Sequence, residues 1–114
     1  MTERKNFFKI ILVIDLNVYY ELGDLKFEWD SEKAERNYKK HNVLFKVAAR
    51  VFLDENKIDE FDEIHSEAED RYKIIGKAGK ILVVIYTERG ERNKIVSARL
   101  AEKDEQEDYY GQFY

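Results

Sequence analysis

Cationic and other polar residues alternate with apolar ones in three strand-like segments of this 114-residue chain, RYKIIGK, ILVVIYTERG and NKIVSARLA. Successive side chains of a β-strand point to opposite faces of the sheet, so alternation assigns side chains to faces. Guanidinium and ammonium groups gathered on one face are suited to binding phosphate groups. We therefore predict a polar sheet face that carries Arg71, Lys73, Tyr86, Glu88, Ser97 and Arg99.

The same alternation predicts the core face of this sheet. An antiparallel sheet with one solvated face, on which Lys and Arg stems cover apolar surface, gives this pattern without any binding function. Both interpretations stay open at this point. The predicted core face carries Tyr72, Ile74, Ile81, Val83, Ile85, Val96, Ala98 and Leu100.

Length and composition limit the class of protein. A chain of this length corresponds to one domain with a sizeable core. The absence of cysteine excludes disulfides and thiolate metal sites and is typical of the reducing cytoplasm. The chain has two histidines, His41 and His65, so a zinc site would need carboxylates to complete it. We assign no metal and no cofactor.

Residues 1–24 are interpreted as an extension of a single domain that covers residues 25–114. The apolar run FFKIILVI at 7–14 contains Lys9, is followed by Asp15 and lacks a small-residue cleavage pattern. It is too short to span a bilayer, and we expect no membrane contact. It is either an extra strand or short helix, or an upstream extension of the reading frame.

The charges of the chain are segregated, although the net charge of −4 argues against a nucleic-acid partner. Residues 31–50 carry six cations against two acids, and residues 71–100 carry eight cations against two acids. Residues 51–70 carry nine acids against one cation, and residues 101–114 carry five against one. This segregation predicts either a basic groove that attracts a polyanion or acidic segments that fold back and neutralise the basic strands.

Local signals predict two helices in the first half of the domain. FEWD at 27–30 is typical of a short strand, and Asp30 or Ser31 can cap a helix that runs to about Lys40. Asn42 tolerates the left-handed conformation and ends this helix. LFKVAARVF then places apolar residues at helical spacing. A mostly basic stripe on the first helix, which is either a binding surface or a solvated face, consists of Lys33, Asn37, Lys40 and His41.

The second half of the chain is rich in strand signals. Residues 57–61 resemble a strand, and the turns KAGK and ERGER have glycine where a tight turn needs it. The tail EKDEQEDYYGQFY begins as a helix. These elements predict an α+β fold in which an antiparallel sheet packs on N-terminal helices, with a short C-terminal helix.

An ordered set of segments resembles the BrnT toxins of type II toxin–antitoxin systems. The segments are FEWD, KAERNYKKHNVLF, ARVFLD, HSEAEDRY, VVIYTERGE and IVSARLA, and they span about Phe27 to Glu102 with the spacings of the family. The resemblance implies a RelE-like fold, a ribonuclease that arrests translation, and a BrnA-type antitoxin with a ribbon-helix-helix DNA-binding part. Because such antitoxins are two-fold dimers, we expect two toxins on one antitoxin dimer, with operator DNA bound only through the antitoxin.

Metal-free cleavage of RNA consists of three tasks, which we assign mainly to residues of the predicted polar face. The 2′-hydroxyl loses a proton, the phosphorane is stabilised, and the leaving 5′-oxygen gains a proton. Arg71 and Arg99 are expected to stabilise the phosphorane, with Lys73 adding charge. Glu88 is expected to be the general base and His41 a second proton-transfer residue. The other expected RNA contacts are Lys33, Lys40, Tyr86, Arg89 and Ser97, of which the tyrosine stacks on a base.

Strand spacing limits which of these residues act together. A simple hairpin at ERGER would place Arg99 opposite Leu82 and distant from Arg71. One phosphate would then not reach both arginines, so either Arg99 holds a neighbouring nucleotide or a bulge shortens the distance between them. His65 and Ser66 are expected to belong to a surface turn.

The chain departs from the family pattern after the SAR triplet. Members of the family commonly have a second arginine and further basic residues there, whereas this chain reads SARLAEKDE. Fewer cations weaken binding to RNA and flatten its salt dependence. Two alternatives therefore stay open: a non-catalytic member that binds its antitoxin as a corepressor, and an RNA-binding module that blocks translation without cutting.

Overall fold

The structure is a computed structural model that describes residues 16–114. The apolar run at 7–14 lies outside the described residues, whereas the rest of the predicted extension contains a strand that pairs with the next one along the chain. A 3₁₀ turn, Arg50–Leu53, follows the second helix. The strands and α-helices are β1 (Asn17–Leu22), β2 (Leu25–Asp30), α1 (Ser31–His41), α2 (Phe45–Ala49), β3 (Ile58–Phe61), β4 (Tyr72–Ala78), β5 (Lys80–Arg89), β6 (Arg92–Leu100) and α3 (Lys103–Gly111).

Helix α1 begins and ends, and the two tight turns lie, where the local sequence signals predicted. The Asp30 carboxylate accepts hydrogen bonds of 2.9 and 3.1 Å from backbone N–H groups in the first turn of α1. Asn42 adopts φ 58° and closes the same helix. Gly79 and Gly90 adopt φ of 76° and 58° in the β4–β5 and β5–β6 turns. The structure confirms these predictions. Each could be made from the sequence because a cap or a tight turn depends only on residues that are neighbours along the chain.

The second helix is shorter than predicted, since α2 ends at Ala49 and the chain continues as the 3₁₀ turn. This turn packs closely against β4 at Gly76. A Cβ at Gly76 would lie 3.0 Å from the Cβ of Val51, so a larger residue there would push the turn away from the sheet.

The sheet is mixed, which corrects the predicted antiparallel sheet. Its strand order is β1-β2-β6-β5-β4-β3, and every neighbouring pair is antiparallel except β2 and β6, which are parallel. The chain between β2 and β6 contains two helices and three strands, and a connection of that length permits the parallel direction. The parallel contact is short, with Phe27 opposite Asn93 and Glu28 opposite Lys94.

Asn37 of α1 hydrogen-bonds the part of β6 that lies beyond this parallel contact. Its Nδ2 donates to the Ala98 carbonyl at 2.8 Å, and its Oδ1 accepts from the Ala98 N–H at 3.1 Å. The side chain is buried, so Asn37 belongs to the interior and not to the basic stripe in which it was predicted. The amide thereby fixes α1 on the sheet.

Apolar residues are buried on both faces of the sheet. The face under α1 and α2 includes Phe27, Trp29, Ile74, Val84 and Tyr86. The opposite face, under α3, is buried around Ile75, Ile81, Val83, Ala101 and Tyr109.

The predicted face assignment of β5 is wrong. Tyr72 pairs with Tyr86 and Ile74 pairs with Val84, so even-numbered residues of β4 and β5 share the face under α1 and α2. The prediction failed because β5 is apolar at successive positions, as strands buried on both faces are, and alternation then assigns no face. The opposite face carries Lys73, Ile75, Ile81, Val83 and Ile85.

A β-bulge between Ile85 and Tyr86 sets the register of β5 against β6. Arg99 lies opposite Val83, one position away from the predicted partner. Arg99 therefore lies on the same face as Lys73.

Candidate functional site

A polar cleft of about 340 Å³ lies on the sheet face opposite α1 and α2. Strands β4, β5 and β6 form its floor, which includes Val83 and Ile85, and the segment 62–71 forms one wall. Polar side chains from both the floor and the wall converge here. They are Asp62, His65, Arg71, Lys73, Ser97 and Arg99.

Glu105 of α3 binds two of the cleft cations. Its oxygens accept hydrogen bonds of 2.7 and 2.9 Å from the two Nη atoms of Arg99, and Lys73 Nζ lies 3.2 Å from Oε2. Glu105 is buried, with a side chain 8 % exposed. Hydrogen bonds from Arg99 lower the pKa of the Glu105 carboxyl to about 2, and the same bonds raise the pKa of Arg99.

Arg71 has fewer hydrogen-bond and ion-pair partners than Arg99. Its Nη2 lies 3.9 Å from Glu69 Oε1, and its buried Nε has no hydrogen-bond partner within residues 16–114. About a third of the side chain is exposed to the cleft and solvent. A buried donor without a partner, in a cleft lined by cations, favours an anion that comes from outside the chain.

The wall of the cleft is fixed by hydrogen bonds between its two ends. The Asp62 N–H donates to the Arg71 carbonyl at 2.8 Å, and the Ser66 hydroxyl accepts from the Arg71 N–H at 2.9 Å while donating to the Asp62 carbonyl at 2.5 Å. His65 projects from this turn, with Nδ1 2.9 Å from Asp62 Oδ2. The predicted surface turn is therefore present, and it also brings a histidine to the cleft.

A family model described as the ribonuclease toxin BrnT of type II toxin–antitoxin systems matches residues 29–105. This range contains every residue that lines the cleft and also Glu105. The chain belongs to the BrnT family.

A solved BrnT structure is similar to this chain. The 1.1 Å crystal structure of the Brucella abortus ribonuclease toxin BrnT matches with 26 % sequence identity and a TM-score of 0.51. The match covers 66 % of this chain and 94 % of that chain. No curated protein matches this BrnT-family chain. Among residues 16–114, no helix has the length and apolar character needed to cross a membrane.

Tyr86 lies apart from the cleft of this BrnT-family protein, which corrects its predicted place on the polar face. The side chain is 6 % exposed, packs edge-on to Phe52 and stacks on Tyr72 under the helices. Its hydroxyl donates to the Asp59 carboxylate at 2.9 Å. Burial, followed by the Asp59 hydrogen bond, raises the pKa of Tyr86 well above its usual range. The side chain is thus committed to the core.

Glu88 also lies on the face under α1 and α2. Glu88 is a neighbour of Tyr72, whose ring faces the helices. Burial, followed by the charge of Glu88, raises the pKa of the Tyr72 hydroxyl. Arg89 lies nearer the cleft, because its Nη2 is 3.3 Å from Glu69 Oε2, on the carboxylate that also approaches Arg71. The structure therefore brings Arg89, but not Glu88, to the rim.

The predicted site residues of the first helix are distant from the cleft as well. Lys33, Lys40 and His41 lie on α1, which covers the opposite face of the sheet. Lys33 and Lys40 are exposed, and His41 borders a separate hollow with Leu44 and other apolar residues. One phosphate in the cleft has no contact with any of the three.

Acidic residues fold back onto the basic strands of this BrnT-family protein. Glu69, from the acidic segment, pairs with Arg71 and Arg89, and Glu105, from the tail, pairs with Lys73 and Arg99. Of the two predicted consequences of charge segregation, neutralisation by acidic segments is the one observed at these four cations.

Sequence reasoning missed three residues of the site, Asp62, His65 and Glu105. Each has a short-range signal: His65 follows Asp62 by three positions, and Glu105 follows Glu102 by three, the spacing of a capping box. The Glu102 N–H donates to Glu105 Oε1 at 2.9 Å, as that motif requires. What the spacing did not reveal is that His65 lines the cleft and that Glu105 binds two of the cations that line it.

Proposed function

We propose that this BrnT-family protein is a RelE-like, metal-independent endoribonuclease that cleaves RNA in the cytoplasm and thereby inhibits translation. The family description supports the general activity, since it names a ribonuclease toxin. The observation that carries the finer proposal is Arg71, whose buried Nε lacks a partner within the described residues and whose side chain opens into the cleft.

The cleft suits a phosphodiester better than a neutral ligand. Arg71 offers planar donors to two phosphate oxygens, and Lys73 adds a positive charge from the neighbouring position on the same face. Arg99 is held by Glu105, so its guanidinium is fixed on the floor of the cleft and presents its remaining donors. Donors fixed before the substrate arrives stabilise the charge that develops on the phosphorane.

The test is Arg71→Ala, compared with Arg36→Ala on the opposite side of the sheet. We expect Arg71→Ala to lower the rate of RNA cleavage roughly 10²–10³-fold. Circular dichroism should be unchanged, because the side chain is partly exposed and makes no short ion pair. Wild-type cleavage by Arg71→Ala, or loss of cleavage after treatment with EDTA, would refute the proposal. Arg99→Ala is less informative because it also leaves the buried Glu105 unpaired.

A second function is favoured by Glu105. Because this carboxylate already binds Arg99 and Lys73, the cleft attracts phosphate less strongly than three free cations would. A member that binds RNA or acts as a corepressor with its antitoxin, without cutting, fits that observation. Intact RNA after incubation with purified wild-type protein, together with measurable binding, would favour this function.

We also propose that a BrnA-like ribbon-helix-helix antitoxin covers the cleft. A carboxylate-rich or helical segment would complement Arg71 and displace RNA from it. Two toxins should bind one antitoxin dimer, and the toxin alone should show no preference for operator DNA. In hydrogen exchange, the complex should protect segment 62–71 and strands β4 and β6. Protection confined to α1 and α2 would contradict this arrangement.

A further inference from the structure

We infer that His65 is the catalytic residue that takes the proton from the ribose 2′-hydroxyl, with Asp62 as its positioning residue. The inference rests on the proposed ribonuclease function. Asp62 Oδ2 lies 2.9 Å from His65 Nδ1, and both residues border the cleft that holds Arg71. The sequence alone assigned neither residue a role in the chemistry.

The Asp62 carboxylate fixes which ring nitrogen is free. It accepts the Nδ1–H of a neutral imidazole, which leaves Nε2 without a proton and able to act as a base. The Asp62 side chain is only 10 % exposed, whereas that of His65 is 64 % exposed. The carboxylate is thus held by the protein while the imidazole meets the substrate.

The hydrogen bonds of the wall also set the place of this pair relative to Arg71. The Asp62 N–H is bonded to the Arg71 carbonyl, and Ser66 bridges the same two residues. A phosphate bound by Arg71 is therefore presented to a base whose neighbours in the wall, Asp62 and Ser66, are hydrogen-bonded to the same arginine. Holding the base in a fixed place relative to the reacting groups contributes to the rate through proximity and orientation.

The reaction balances with RNA and water alone. Nε2 of His65 takes the 2′-hydroxyl proton, the O2′ electron pair forms a bond to phosphorus, and the P–O5′ bond breaks with its pair left on O5′. Water protonates O5′, and the resulting hydroxide takes the proton from the imidazolium. The products carry a 2′,3′-cyclic phosphate and a 5′-hydroxyl.

The other acids and bases at the cleft are less suited to this step. Glu105 has a pKa of about 2 because Arg99 hydrogen-bonds it, and so weak a base accepts a proton poorly near neutral pH. Lys73 is paired with Glu105. Glu67 borders the shallow hollow beside His65 and Arg71, but it does not line the cleft itself.

The experiment compares the two histidines of the chain. We expect His65→Asn and His65→Gln to lower the cleavage rate by about 10²–10⁴-fold. Binding to 2′-O-methyl RNA, which cannot be cut, should change less than threefold, because the phosphate contact through Arg71 remains. His41→Asn, on the opposite side of the sheet, should cleave like the wild type. Retained cleavage in both His65 variants, or loss in His41→Asn alone, would overturn the inference.

Two further measurements separate a chemical from a structural role. Added imidazole should restore cleavage to His65→Ala, since a small base can occupy the space that the side chain leaves. Asp62→Asn should lower kcat by about tenfold or more with little change in KM, and nitrogen NMR should show His65 shifting from the Nδ1–H to the Nε2–H tautomer. An unchanged tautomer with unchanged kcat would remove Asp62 from the inference.

The failure of this inference is distinguishable from the failure of the proposed function. If purified wild-type protein leaves RNA uncut, both are wrong. If the wild type cuts RNA, Arg71→Ala does not, and the His65 variants do, the ribonuclease function stands and the assignment of the base is wrong. Products with a 3′-hydroxyl and 5′-phosphate would also exclude attack by the 2′-oxygen.

Discussion

At the scale of single residues, Glu105 has the most partners in the cleft region. One buried carboxylate accepts from Arg99, Lys73 and the backbone of its own helix. A buried ion pair contributes little by itself, but removing one partner leaves the other charge buried without compensation. Glu105 is therefore a structural residue whose loss also releases Arg99 and Lys73 on the floor of the cleft.

The pKa of Glu105 predicts how stability depends on pH. Its folded value of about 2 lies below the ordinary value of 4.5, so the carboxylate stabilises the fold at every pH above 4.5. This contribution, up to about 3 kcal/mol, is lost as the pH falls from about 4.5 towards 2. Glu105→Gln should be less stable at neutral pH and should lose less stability over this interval, as measured by urea denaturation.

The matched control for this prediction is Glu107→Gln, an exposed position on the same helix. Its stability at neutral pH should be within about 0.5 kcal/mol of the wild type, with the same acid dependence. If the free energy of unfolding depends on pH in the same way for Glu105→Gln and the wild type, the ion pair with Arg99 does not stabilise the fold.

The sequence predicted individual residues well where their role is local and poorly where it is not. Asp30 and Asn42 cap α1 as expected, because a cap depends on backbone groups within three or four positions. Arg71, Lys73, Ser97 and Arg99 were grouped correctly on one face. His41 was chosen for its chemistry, and Glu88 was chosen for its chemistry and its place in the alternation of β5, and the fold places both on the other side of the sheet.

At the scale of elements, strand β5 shows why face assignment failed. The strand is buried on both sides, so its sequence does not say which parity meets the helices. The bulge between Ile85 and Tyr86 then changes the parity relation along β6. Five of the six strands and the turns were predictable, whereas β1 (Asn17–Leu22) was not, and register and face depend on partners distant in the sequence.

The contact of α1 with β6 leads to a second prediction. Asn37→Ala removes the partners of the Ala98 N–H and carbonyl inside the protein, and each unsatisfied group is costly. We expect a loss of about 2–4 kcal/mol in the free energy of unfolding. Lys40→Ala, exposed on the same helix, should change it by less than about 0.5 kcal/mol. A loss below 1 kcal/mol for Asn37→Ala would mean that water replaces the amide.

At the scale of the whole molecule, acidic segments reduce the field of the basic strands. Glu69 approaches both Arg71 and Arg89, at 3.9 and 3.3 Å, so it competes with phosphate at the rim of the cleft. The net charge of −4 does not reveal how far the acids reduce the positive potential at the cleft, because that reduction depends on where the acids lie. Glu69 and Glu105, which bind the four site cations, both lie beside it.

A third prediction follows for Glu69→Gln. Freeing the two arginines should raise affinity for 2′-O-methyl RNA and steepen the log–log salt dependence by up to about 0.7 for each added phosphate contact. Binding titrations between low and physiological salt measure both quantities. Glu63→Gln, exposed on the same segment, is the control and should leave the slope unchanged. Equal slopes for Glu69→Gln and the wild type would show that Glu69 does not compete with RNA.

The parallel pairing of β2 with β6 has a consequence for the time at which activity can arise during synthesis. Phe27 has no strand partner on that side until Asn93 has been made, and Asn37 of α1 lacks its partner on β6 until Ala98 has been made. Arg99 is oriented only once Glu105 has been added. Because such long-range contacts form late, the ribosome that translates this chain will have added residue 105 before the cleft assembles. The cleft is therefore not yet assembled while residues 1–104 are being added to the nascent chain.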